Sequence, residues 1–96
     1  MRRNAKIDDN QPAIVEGLRK FGCSVQSLAN IGKGCPDIVC GYRCVNFLFE
    51  LKDPAKPPSA RKLTPDQEKW HSEWKGSIYV IETLEQAIAI IKESFA

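Results

Sequence analysis

Residues 44–52 of the chain read CVNFLFELK, and this segment is the clearest predictor of the fold. Alternate residues from Val45 to Leu51 are apolar, and the opposite set ends in Glu50 and Lys52. Alternation with a period of two is typical of a β-strand that buries one face. The segment therefore predicts a strand on which Glu50 and Lys52 share a side, since residues two apart on a strand point the same way.

A second strand is expected just before this one. Residues 30–36 (NIGKGCP) form a loop with two glycines, and an apolar run at 38–40 follows Asp37 and ends at Gly41. A turn over residues 41–43 would let the two strands pair as a hairpin. Asp37 would then lie alongside the end of the strand that carries Glu50, and the two carboxylates would converge on one hard cation.

The first half of the chain also predicts a helix and a further strand. Pro12 suits a first helical turn, with Asp9, Asn10 and Gln11 as capping candidates, and Gly22 suits the end of the helix. A short strand is expected near residues 23–28. Residues 53–61 contain three prolines and are expected to form a loop.

The second half predicts a helix, a strand and a final helix. Thr64, Pro65 and Gln67 have the spacing of a capping box with proline at the first helical position. A strand is expected at residues 77–81, and Thr83 caps a third helix, with Gln86 completing its box. The predicted order of helix, three strands, helix, strand and helix indicates an α/β (α+β) fold.

The composition indicates one globular domain spanning residues 1–96. The chain has 96 residues, of which 43% are apolar and 27% charged, with a net charge of only +2. Charge alone is therefore too weak to indicate nucleic-acid binding, although basic residues cluster at 2–6 and 56–62. The chain shows neither a membrane-spanning apolar run nor a secretory signal. We expect it in the cytoplasm, with no membrane partner.

The four cysteines are expected to be buried thiols. Cys23, Cys35, Cys40 and Cys44 contain no C-x-x-C pair, so the strong zinc spacings are missing. Three of them lie within or beside strand-like apolar segments, where cysteine behaves as a small hydrophobic residue. A zinc-binding protein remains a distant alternative, which a zinc content assay would test.

Asp37, Glu50 and Lys52 form the pattern that suggests chemistry. Two carboxylates and the Leu51 carbonyl would supply oxygen ligands for Mg²⁺, which keeps waters in its remaining positions. The metal would acidify a bound water, and the lysine would stabilise charge on a phosphate. A Glu-x-Lys pair on a strand is more often an exposed charge pair, and an aspartate after proline is a common turn residue. The functional interpretation therefore depends on all three occurring together.

Three motifs resemble those of the VRR-NUC family of the PD-(D/E)xK nuclease superfamily. They are GCPD at residues 34–37, FELK at 49–52 and LTPDQ at 63–67, followed by Trp70. The similarity extends from about residue 8 to 87. It implies a restriction-endonuclease-like core in which Asp37 and Glu50 bind Mg²⁺ or Mn²⁺, Lys52 serves catalysis and Gln67 lies beside the site.

The resemblance also implies a biological context. Free-standing members of this size are phage or bacterial proteins, so the location would be the bacterial cytoplasm. The expected partner is DNA, either branched, such as a four-way junction, or duplex. The enzyme that cuts it would be a homodimer. An end-processing nuclease and a non-catalytic DNA-binding module of the same fold are the alternatives, since a fold does not specify substrate geometry.

The first helix departs from the family pattern. Members often carry a metal-binding glutamate where this chain has Gln11. Gln11 shares a helix face with Ile14, whereas Glu16 lies on the opposite side and is expected to be solvated. An amide is a weaker ligand than a carboxylate, so Asp8 or Asp9 is a further candidate.

Several other residues have two interpretations each. Lys33, Arg61 and Lys62 are candidates for phosphate contacts or for solvated loop charges. His71 is expected to be a surface or partly packed residue rather than a general base. Trp70 and Trp74 are expected in the core or in a dimer interface, with base stacking as the alternative.

Overall fold

A computed structural model describes residues 8–96, so the predicted basic cluster at residues 2–6 lies outside the described residues. The elements are α1 (Gln11–Phe21), β1 (Ser24–Ser27), β2 (Ile38–Tyr42), β3 (Val45–Leu51), a 3-10 helix (Pro58–Arg61), α2 (Pro65–Glu73), β4 (Ile78–Ile81) and α3 (Leu84–Glu93). The predicted α+β fold and order of elements are confirmed. The proline-rich loop additionally forms a 3-10 turn.

The four strands form one sheet in the order β1-β2-β3-β4. The first two pairs are antiparallel, and β4 runs parallel to β3 after the chain crosses over through α2. Ile38 lies opposite Phe49, and the backbone N–H of Asp37 donates to the Phe49 carbonyl at 3.1 Å. The predicted hairpin is therefore present, and it places Asp37 at the end of β3.

The hairpin turn lies one residue later than predicted. Tyr42 pairs with Val45, so the turn consists of Arg43 and Cys44, with φ angles of 48° and 70°. Two positive φ angles match the twist of the flanking strands in a two-residue hairpin. Cys44 is consequently exposed, and its predicted burial in an apolar segment is wrong.

One face of the sheet packs against α1 and α3. The side chains with the least exposure in this core include Leu18, Ile38, Phe49, Ile81 and Ile91. A side chain at Gly17 would overlap with Leu84 at the start of α3, so glycine allows the two helices to approach closely. The core thus supports the β3 backbone from one side and leaves the face of Glu50 and Lys52 turned away from it.

Capping determines where the last two helices begin. Thr64 and Gln67 form a reciprocal capping box at α2, and Thr83 and Gln86 form a second one at α3, as predicted. Asn10 occupies the N-cap of α1, as predicted, but its side chain makes no capping hydrogen bond. Its Nδ2 instead donates to the carbonyls of Lys52 and Glu82 at 3.1 Å each, which joins the start of α1 to the ends of β3 and β4.

Within the described part of the chain, each helix is too short or too polar to cross a membrane.

Candidate active site

Asp37 occupies the junction between the glycine loop and β2. The Leu51 N–H donates to Asp37 Oδ2 at 2.7 Å, so the carboxylate lies against the end of β3. This contact involves the N–H of Leu51, whereas the proposed metal ligand was its carbonyl. The Asp37 N–H also donates to the Phe49 carbonyl, so both the main chain and the side chain of Asp37 are hydrogen-bonded to β3. These two bonds fix the position of Asp37 relative to Glu50.

Glu50 and Lys52 share one face of β3, and both are buried. Glu50 is 1% exposed and Lys52 is 7% exposed. An exposed charge pair on a strand edge, the commoner role of a Glu-x-Lys pattern, is thereby excluded. Burying two charged groups is costly unless they are hydrogen-bonded, so the contacts that surround them matter for both stability and chemistry.

Gln67 links the two charged side chains. Its Nε2 donates to Glu50 Oε2 at 3.0 Å, and its Oε1 accepts from Lys52 Nζ at 2.8 Å. The same Oε1 accepts from the Thr64 N–H at 2.9 Å in the capping box. Gln67 therefore starts α2 and also lies beside the site, so the two roles expected for it coexist.

The two carboxyl groups perturb one another. Burial, followed by the hydrogen bond and the charge of Asp37, raises the pKa of Glu50 to about 9. Burial also raises the pKa of Asp37, while hydrogen bonds from the Glu50 carboxyl and the Leu51 N–H oppose that rise. Glu50 is thus protonated at neutral pH in the metal-free protein, and one proton is shared within the pair.

The start of α1 lies at the edge of this cluster. Gln11 is 5% exposed, and its Oε1 has no hydrogen-bond partner among residues 8–96. Asp8 pairs with Lys56 at 3.3 Å, and its charge raises the pKa of both Asp37 and Glu50. Glu16 is exposed and pairs with Lys20 at 3.5 Å, as expected for a solvated acid. Asp8, just before α1, is therefore electrostatically coupled to the two carboxyl groups, and Gln11 supplies a buried oxygen without a hydrogen-bond partner among the described residues.

His71 is a neighbour of Glu50 that was not predicted from the sequence. Its Nε2 lies 3.6 Å from Glu50 Oε1, beyond hydrogen-bonding distance. Burial and then the charge of Lys52 lower the pKa of His71, so the imidazole is neutral at pH 7 and the contact is not an ion pair. Its spacing of four residues from Gln67 was the available signal, because such residues share a helix face.

The glycine loop is pressed against the first turn of α2. A Cβ atom at Gly34 would overlap with the backbone carbonyl of Asp66, and Gly34 has a φ of 84° that favours glycine. Lys33 has a φ of 56°, which is uncommon for a residue with a side chain. The loop therefore holds Lys33 close to α2, and its contact with phosphate stays a prediction.

The other predicted phosphate ligands lie before α2. Arg61 pairs with Glu82 at 3.3 Å, whereas Lys62 is exposed.

Trp70 and Trp74 stack at a centroid distance of 4.6 Å, and Trp74 is 46% exposed. Trp74 is therefore not a core residue.

A divalent metal fits the donors at this site. Glu50 Oε1 is buried and has no hydrogen-bond partner among residues 8–96, next to a second carboxylate that shares its proton. Within these residues, no group of three or more His, Cys, Asp or Glu side chains could hold a metal. Two carboxylates would thus be supplemented by neutral oxygens and water, a donor set that suits Mg²⁺ or Mn²⁺.

Comparison with known proteins supports the same fold. No family model and no curated protein matches the sequence. A solved structure described as a VRR_NUC domain is similar to 85% of this chain and 89% of its own, with a TM-score of 0.61 and 24% sequence identity. The resemblance inferred from the motifs is thereby confirmed for the architecture, and this chain has the fold of a VRR_NUC domain.

Proposed function

We propose that this protein is a nuclease that hydrolyses phosphodiester bonds in DNA with Mg²⁺ or Mn²⁺. The observation that carries the proposal is the convergence of Asp37, Glu50 and Lys52 in one buried cluster held by Gln67. Such a cluster is costly to bury and contributes little to stability, which favours a chemical role. The similarity in fold to a VRR_NUC domain supports the same class of activity.

Each residue of the cluster would have its own role in the reaction. Asp37, Glu50 and the Leu51 carbonyl would hold the metal, and Gln11 of α1 or the preceding Asp8 would add an oxygen. When bound there, such a metal would supply a nucleophilic water and would stabilise charge on the phosphate. Lys52 places a desolvated positive charge at the reacting phosphate, where it is worth more than in water. Gln67 orients Lys52 through its side-chain carbonyl, so it is a positioning residue with a second contact to Glu50.

The substrate we propose is branched DNA, such as a four-way junction, cut by a homodimer of a free-standing phage or bacterial protein in the host cytoplasm. The support for a dimer is apolar surface on the sheet face that carries Glu50. Trp74 is 46% and Val80 49% exposed, and Leu48 lies between Val39 and Ile78 on the same face. Light scattering should give the mass of a dimer, and Val80→Glu should shift it to a monomer.

The test of the function is cleavage of a labelled set of DNAs by the wild-type protein. Single strand, duplex, fork and four-way junction are each incubated with Mg²⁺, with Mn²⁺ and with EDTA. We expect cleavage only with metal and fastest on the junction. Preference for ends would favour an end-processing nuclease, and binding without cleavage would favour a non-catalytic module.

A further inference from the structure

A cleft lies between the glycine loop and α2. Its volume is about 380 Å³, and it is lined by Lys33, Asp66, Lys69, Trp70 and Glu73. Asp66 precedes Gln67 in the chain, and Gly34 precedes Asp37 by three residues. Both walls of the cleft are therefore continuous with segments that carry residues of the site.

The loop wall is built in an uncommon conformation. Gly32, Lys33 and Gly34 have φ angles of 72°, 56° and 84°. For a lysine this conformation is strained and persists only where the surroundings enforce it, often at ligand sites. The enforcing contact is the packing of Gly34 against the Asp66 carbonyl, which brings the Lys33 side chain to the edge of the cleft.

The chemistry of the cleft suits a nucleobase better than a bare phosphate. Two lysines and two acids line it, so their formal charges cancel, whereas phosphate binding relies on net positive charge. Trp70 offers an aromatic surface, and stacking on such rings binds unpaired bases. Asp66 and Glu73 can accept hydrogen bonds from an exocyclic amino group, and the lysines can donate to ring or carbonyl acceptors.

We propose that this cleft binds an unpaired base of the DNA strand, adjacent to the phosphodiester held at Asp37 and Glu50. The proposal rests on the proposed function for the identity of the reaction, but base binding does not require cleavage. Trp74 does not line the cleft itself. Its ring stacks against Trp70 at 4.6 Å and so restricts the orientation of the ring that the base contacts.

The first experiment uses tryptophan fluorescence. The chain has two tryptophans, so Trp74→Phe leaves Trp70 alone and Trp70→Phe is the matched control. In EDTA, a single-stranded oligodeoxycytidylate should quench Trp70 more strongly than Trp74. An abasic strand of equal length, which keeps the phosphates, should quench weakly. Equal quenching by the abasic strand would overturn base stacking. Quenching by oligothymidylate as strong as by oligodeoxycytidylate would overturn the roles of Asp66 and Glu73, because thymine lacks the amino group.

The second experiment measures affinity for the same oligodeoxycytidylate. Trp70→Ala should weaken binding by about 5- to 150-fold relative to Trp70→Phe, the range expected for one stacked base. Lys33→Gly should also weaken it while leaving the thermal unfolding midpoint unchanged or higher, because glycine accepts the loop conformation. If Trp70→Ala changes neither the affinity nor the rate of cleavage, the base site is rejected and the nuclease function is retained. Quenching without any metal-dependent cleavage would reject the nuclease and leave the base site in place.

Discussion

Gln67 Oε1 accepts a hydrogen bond from Lys52 Nζ at 2.8 Å, although the two residues lie on different elements. The same oxygen accepts from the Thr64 N–H in the capping box of α2. The first turn of this helix and the position of the buried lysine therefore depend on one side chain. A change at Gln67 should affect both the stability of the fold and the chemistry of the site.

Gln67→Ala should lower activity more than its effect on stability explains. Loss of a helix cap costs about 0.5–2 kcal/mol, and loss of a residue that orients a catalytic group reduces activity by about 10- to 100-fold. Gln86→Ala is the matched control, because Gln86 completes the capping box of α3 without a bond to Glu50 or Lys52. Gln67→Ala should lose more stability than Gln86→Ala, because it also removes a partner of the buried Glu50 and Lys52, and only Gln67→Ala should lose activity. Equal activities in the two variants would contradict the positioning role.

Gly34→Ala should destabilise the protein more than Gly32→Ala. Both glycines have positive φ angles, so alanine at either position costs about 1–2 kcal/mol in backbone strain. A Cβ atom at Gly34 would also overlap with Asp66, whereas one at Gly32 meets no atom within 4 Å among the described residues. Chemical denaturation measures both variants. Equal losses would show that the loop does not pack on α2 as described.

The metal-free protein should lose stability as the pH rises. Glu50 has a pKa of about 9 in the folded state against a usual 4.5, so the folded state retains a proton that the unfolded chain releases. The contribution of Glu50 to stability is therefore fully present below pH 4.5 and is lost as the pH rises toward about 9, by at most about 1.4 kcal/mol per pH unit. Denaturation in EDTA between about pH 7 and pH 8 isolates this effect, because His71, with a lowered pKa, is already neutral there.

Glu50→Gln is the control for this pH dependence. An amide does not titrate, so the slope between about pH 7 and pH 8 should flatten in this variant. Mg²⁺ should oppose the decline in the wild-type protein, since metal binding requires the deprotonated carboxylate and strengthens as the pH rises. Equal slopes for wild type and Glu50→Gln in EDTA would show that Glu50 does not hold the proton.

Lys62→Ala should weaken DNA binding uniformly across sequences. Lys62 is exposed, whereas the neighbouring Arg61 is engaged with Glu82 at 3.3 Å. Removal of one phosphate contact lowers the slope of log affinity against log salt by about 1. Fluorescence anisotropy at several salt concentrations measures this slope. A slope unchanged from wild type would show that Lys62 makes no phosphate contact.

Local patterns were sufficient to predict the elements and the convergence of two acids. The alternation in β3, the capping box of Thr64 and Gln67 and the hairpin between β2 and β3 are short-range features, and each is present. The hairpin placed Asp37 beside the Glu50 strand without knowledge of the rest of the fold. Its exact register was not predicted, because the turn lies at Arg43 and Cys44 rather than at residues 41–43.

The burial of Glu50 and Lys52 could not be predicted in the same way. It depends on α2, whose residues are all at least partly exposed and whose position depends on the polar contacts of Gln67 and the packing of Gly34. Neither contact produces a periodic pattern of apolar residues in the sequence. Asn10 shows the same limitation, since its carbonyl partners lie 42 and 72 residues away and a local capping rule does not foresee them.

Cleavage of the preferred DNA by Lys52→Ala with Mg²⁺ tests the central claim most directly. Removing a group that stabilises the transition state should lower the rate by about 100- to 1000-fold while metal and DNA still bind. Lys20→Ala is the control, because Lys20 is an exposed surface lysine on α1. Loss of metal-dependent cleavage in Lys52→Ala alone is the predicted result, and cleavage by Lys52→Ala at the wild-type rate would contradict this account of the site.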